Sequence, residues 1–76
     1  MEKETIALEV LTGMALDASR VLVERQRAID ALTLFHEQAL GSLKKIERTT
    51  DLQILKERCR LYVRRITDGA AISMTL

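Results

Sequence analysis

His36 and Cys59 are the chain's one imidazole and one thiol, the two side chains best suited to nucleophilic or metal chemistry. A zinc centre needs three or four ligands, and two from one chain in no recognised metal spacing fall short of that. The sequence holds no Gly-rich phosphate loop, HExxH, CxxC or nucleophile elbow. The expectation is therefore a protein that is not an enzyme and carries no cofactor or metal. Cys59 reads as a small core residue of a helix. His36 reads as an edge residue of an apolar seam, its tip reaching solvent or a carboxylate.

The remaining chemistry is cationic. Arg25 falls in the middle of an apolar helical stripe, and a buried guanidinium must be paired. It either fixes register or grips a partner's carboxylate, or it covers the seam with its stem and reaches water, Glu24 or Asp30 with its head. Lys56, Arg58, Arg60, Arg64 and Arg65 crowd one later helix, where phosphates are their natural ligands. Projected at 100° per residue they spread over both flanks of the apolar face, with Glu57 among them. They read first as solvated flanks, and a dimeric nucleic-acid binder using this helix is the alternative function.

The elements that position these residues follow from periodicity. From Glu4 to Ile46 apolar residues recur at spacings of three, four and seven, which marks one face of a helix. Leu11, Met14, Ala18, Val21, Leu22, Ile29, Leu32, Phe35, Ala39, Leu43 and Ile46 lie on it. A long first helix over about 3–47 is expected, kinked or broken near residues 12–17, where Gly13 weakens it and Asp17 and Ser19 can cap a restart. Thr50 and Gln53 spell a capping box after a turn at 48–50. A second helix over about 51–67 carries Leu52, Leu55, Cys59, Tyr62, Val63 and Ile66 on one face, and Gly69 stands where a C-terminal cap belongs. The tail 68–76 has Ile72, Met74 and Leu76 in strand-like alternation and reads as frayed or docked on a partner.

The expected fold is thus all-α, an antiparallel helical hairpin in a single domain, 1–76. A second helix of that length covers only about 25 Å of the first. Part of the first stripe is left bare, and the hairpin is expected to be oligomeric or partner-bound through Met14, Ala18, Val21, Leu22, Arg25, Ile29 and Leu32. A weaker back stripe adds Ile54 and Leu61.

The long Leu- and Ala-rich first helix ending "QALGSLKKIER", the polar turn "TTD" and the shorter helix "LQILKERCRLYVRRI" together resemble the small needle-subunit co-chaperones of bacterial type III secretion systems. The resemblance covers residues 17–67 and rests on architecture. It implies a helical hairpin that binds a helical-repeat chaperone, keeps an aggregation-prone needle protein soluble and needs no cofactor. The Arg-rich second helix and the apolar tail depart from that pattern.

Composition agrees with an interaction protein. At 76 residues, with 47% apolar side chains, no Pro, no Trp and only Tyr62 and Phe35 as aromatics, the core is aliphatic and suits packed helices. A chain of this size buries only about 60% of its unfolded surface, so a partner adds needed stability. The formal charge of +1 gives no global field toward nucleic acid or an anionic membrane. A lone cysteine, no signal-like N-terminus and no long apolar run lead to the expectation of a cytoplasmic protein without a membrane span.

Overall fold

The computed structural model describes residues 3–75, with side chains described for 3–69. Every element in that span is helical: α1 (Lys3–Leu16), α2 (Leu22–Leu32), a 3-10 segment (Thr33–Ala39), α3 (Leu40–Thr49) and α4 (Gln53–Thr75). The all-α expectation holds. The single long helix over 3–47 does not form, because the chain leaves the α-helical path twice.

The first departure is at 17–21. Asp17 Oδ1 accepts hydrogen bonds from the Ser19 backbone N–H at 2.9 Å and from the Ser19 hydroxyl at 2.6 Å. That local turn offers the backbone an alternative to continuing the helix. The expected side-chain cap on the restart is absent: Val21 is the N-cap of α2 and makes no side-chain capping bond. Asp17 and Ser19 therefore end α1 and do not start α2.

The second departure was not legible in the sequence. His36 has φ 53° and ψ −129°, a left-handed conformation inside the 3-10 segment. At 100° per residue an unbroken helix would set His36 about 40° from Leu32 and about 60° from Ala39, on the edge of the buried stripe. Both neighbours are fully buried, whereas His36 is exposed. The kink turns the imidazole out of the core and leaves Phe35 packed against it. Burying an unpartnered imidazole costs several kcal/mol, against about 1–3 kcal/mol for one strained residue. The strain is the smaller cost.

The core joins all four α-helices. Ala15, Ala28, Ile29, Leu32, Ala39, Leu43, Ile46, Leu55 and Cys59 are buried together, and Leu8, Leu11, Met14, Tyr62 and Ile66 pack around them. α1 folds back along α2 and also touches α3, while α4 packs along α3 and reaches α2. Of the stretch of stripe expected to be bare, Ile29 and Leu32 are covered within the chain's own core, which the first helix joins, while Ala18, Val21 and Leu22 stay exposed. This corrects the comparison of lengths, which treated residues 3–47 as one rod.

At the second turn Thr50 is buried and its hydroxyl accepts the Leu52 backbone N–H at 3.2 Å. Gln53 Nε2 donates to Glu57 and not back to Thr50, so the expected capping box is not made. Helix two also runs further than expected. It passes through Gly69 to Thr75, so Gly69 ends nothing, and a Cβ built there meets no atom within 4 Å. The strand-like reading of Ile72 and Met74 gives way to helix up to Thr75, with their side chains outside the described residues, and Leu76 lies wholly outside them.

Candidate functional site

The residues expected to meet a partner divide into an inner and an outer set. Ile29 and Leu32 are 0% exposed and belong to the chain's own core, and Met14 packs against that core. Ile29 and Leu32 are occupied intramolecularly and are corrected as contact residues, while Met14 stays half-buried.

Arg25 is also corrected. It is 7% exposed, and its Nε donates to the Ala15 backbone carbonyl at 2.8 Å. Ala15 lies in the last turn of α1, where carbonyls have no partner within the helix and carry the negative end of its dipole. Arg25 is the C-terminal cap of α1 supplied from α2. Among the described residues neither Glu24 nor Asp30 bonds it, and the Asp17 carboxylate feels its charge only weakly through space.

The outer set is where α1 turns into α2. Val21 is 64% exposed, Leu22 41% and Val23 52%, with Ala18 exposed beside them. Three consecutive large aliphatics cannot all face one side of a helix, and at its first turn no neighbour covers the other sides. They form an apolar knuckle. A second apolar pair, Ile54 and Leu61, stands outward on α4 at 47% and 44% exposure.

Between Ile54 and Leu61 lies the most connected polar group of the fold. Arg58 Nε donates to Asp30 Oδ1 at 2.9 Å and the Tyr62 hydroxyl donates to the same oxygen at 2.6 Å. A longer bond of 3.4 Å joins Arg58 to Asp30 Oδ2. The Arg58 bond holds the Asp30 carboxyl below its ordinary value despite partial burial, with Tyr62 assisting. Asp30 in return raises both the Arg58 guanidinium and the Tyr62 phenol. The group ties α4 to α2. Nothing in the sequence marked Asp30 as its centre, since its partners are 28 and 32 residues away.

This geometry also divides the basic residues of α4. Arg58 is committed to Asp30, and Arg60 Nε donates to Glu47 at 2.6 Å. Lys56, Arg64 and Arg65 are left as candidates for phosphate, Lys56 half-buried and the two arginines exposed. Three cations without a shared ridge make a weak phosphate track.

His36 and Cys59 are not brought together. Cys59 is 0% exposed in the core, where burial, with a contribution from Glu47, pushes its thiol up to about 11. A thiol in that state is no nucleophile at neutral pH. His36 lines an open hollow of about 440 Å³ with Thr33, Glu37, Tyr62, Arg65 and Ile66. Among the described residues no three His, Cys, Asp or Glu side chains are placed to hold a metal ion. No helix among them is long and apolar enough to cross a membrane.

The chain is thus an all-α protein whose described surface exposes apolar side chains on α1, at the turn into α2, in the 3-10 segment and on α4. Comparison with family models, with curated proteins and with solved structures finds no match.

Proposed function

We propose that this protein is a non-enzymatic helical interaction protein, a small chaperone or assembly factor similar in kind to the type III secretion co-chaperones. It binds a protein partner through the apolar knuckle of Ala18, Val21 and Leu22, extended by Val23. The observation that carries the reading is the exposure of three consecutive aliphatic residues, Val21–Val23, at a turn that the rest of the core leaves uncovered. The helical hairpin of α3 and α4 is the scaffold, and Ile54 and Leu61 on its outer side are the second contact. Patches of this kind on small proteins mark interaction sites, whereas single exposed aliphatics do not.

Capture of partners from the native host tests it, with wild-type and Val21→Asp proteins compared at low salt and at about 0.5 M salt, where phosphate contacts weaken and apolar packing does not. Capture by the wild type at both salt levels, lost with Val21→Asp and kept with the pair Arg64→Ala and Arg65→Ala, is the expected result. The reverse pattern, with the arginine pair essential and Val21→Asp harmless, overturns the proposal in favour of nucleic acid.

A further inference from the structure

The four α-helices form two hairpins. α1 packs chiefly along α2, and α4 chiefly along α3. Each hairpin has its own polar tie: Arg25 bonds the Ala15 carbonyl within the first, and Arg60 bonds Glu47 within the second. The bonds of Arg58 and Tyr62 to Asp30 run between the two. The 3-10 segment Thr33–Ala39 joins them.

That link is bent against its own sequence. The segment TLFHEQA holds neither Gly nor Pro, the two residues that break helices. The buried residues on either side of the bend, Ile29, Leu32, Ala39, Leu43 and Ile46, keep the spacing of one continuous helical face. Yet His36 sits at φ 53°, which strains a residue that has a Cβ. A 3-10 stretch of seven residues between α-helices is also long for its kind, and such stretches mark hinges or strain. Straightening His36 into the α region removes the strain and makes 22–49 one helix roughly 42 Å long.

Straightening also parts the hairpins. Asp30 loses Arg58 and Tyr62, and the core divides, with Ile29 and Leu32 on one side and Leu55 and Cys59 on the other. A surface that replaces the lost half must offer Asp30 an arginine and a tyrosine one helical turn apart, beside the same aliphatic side chains. A second copy of the α3–α4 hairpin carries that surface residue for residue. Leu34, inside the hinge, is 76% exposed, the most of any large aliphatic side chain among the described residues. Two hinges that meet at a two-fold axis bring apolar surface to it.

We infer that His36 is the hinge of a domain swap, in which the α3–α4 hairpin of one copy packs on the α1–α2 hairpin of a second and the reverse, giving a two-fold dimer. The contacts between hairpins are the same in both forms and cancel. The balance is set by hinge strain, which favours the dimer, and by the entropy of association, which favours the monomer at low concentration. The Val21–Val23 knuckle lies within the first hairpin, so the exchange leaves it unchanged and the dimer carries two.

Refolding the full chain from denaturant over a range of concentrations, followed by sedimentation, tests the inference. The wild type is expected to give more dimer as concentration rises. His36→Gly relaxes the closed hinge and weakens the straight helix, and is expected to lower the dimer association constant about ten-fold or more. His36→Ala favours the straight helix and is expected to raise it. The exchange itself is read in Arg58→Lys, which keeps the charge and supplies an amine. Dimer refolded from a mixture of ordinary and isotopically heavy protein is treated with a carbodiimide, which joins a carboxylate to an amine in contact with it. Cross-linked peptides that join positions 30 and 58 are expected to include pairs of mixed label in the dimer and only pairs of single label in the monomer. Single-label pairs throughout the dimer, a His36→Ala protein that stays monomeric at every concentration, or a dimer fraction unchanged by His36→Gly overturns the inference. A single-label dimer that disappears with Val21→Asp overturns it while leaving the proposed function standing, because closed chains then associate through the knuckle.

Discussion

Arg25 reaches back ten residues to the carbonyl of Ala15, 2.8 Å away, and so a side chain of α2 closes the open end of α1. The bond is buried and charge-assisted, the kind that contributes about 1.5–3 kcal/mol. Arg25→Leu keeps the apolar stem and removes the donor, leaving the Ala15 carbonyl without its partner. The expected loss of about 2 kcal/mol lowers the melting temperature by roughly 8–16 °C in a chain of this size. An unchanged thermal melt would show that the cap contributes nothing.

Asp30 gathers α2 and α4 by accepting from Arg58 and Tyr62 together. Its side chain is 41% exposed, so water screens the ion pair and most of the expected effect belongs to the hydrogen bonds. Tyr62→Phe is expected to cost about 1 kcal/mol and Asp30→Asn about 1–2 kcal/mol in chemical denaturation. The folded carboxyl lies below its unfolded value near 3.9, so its contribution is present above that pH and is lost as the pH falls through the lowered folded value. Wild-type stability should therefore drop below about pH 4, and Asp30→Asn should flatten that part of the profile.

Cys59 is buried, and its thiol is pushed up to about 11. At pH 8 the native protein is expected to react with a thiol reagent only as fast as it unfolds. Adding denaturant should release the reaction. Prompt labelling of native protein at pH 8 would place Cys59 outside the core.

His36 occupies backbone angles near those of the first central residue of a type II′ turn, a glycine position. His36→Gly removes the Cβ strain and is expected to stabilise the fold by about 1 kcal/mol, after part of the gain is offset by the greater freedom of the unfolded chain. His36→Val, β-branched at positive φ, should destabilise it by more than that. Equal melting temperatures for the three proteins would mean that no kink exists at this position.

Gly69 distinguishes two ends for the last helix. Inside α4 with open space around its Cβ position, Gly69→Ala should stabilise by up to about 1 kcal/mol. Were Gly69 a left-handed cap, the same change would destabilise, since alanine resists that conformation. The sign of the shift in melting temperature decides.

Residue type and spacing alone determined that the chain is all-helical, that Leu43, Ile46, Leu55 and Cys59 face a core, that the chain turns close to Thr50, two residues later than the expected 48–50, and that Arg25 on an apolar stripe had to find a partner. Periodicity carries this because a helix repeats its faces every 3.6 residues whatever it packs against. It does not say what covers a face. That α1 itself shields Ile29 and Leu32, that Arg25 bonds a backbone carbonyl, which every residue type carries, and that Asp30 meets Arg58 and Tyr62 were decided only when four helices converged. The kink at His36 has the same origin: a positive φ at a non-glycine residue leaves no mark in residue type or spacing and appears only in the packed chain.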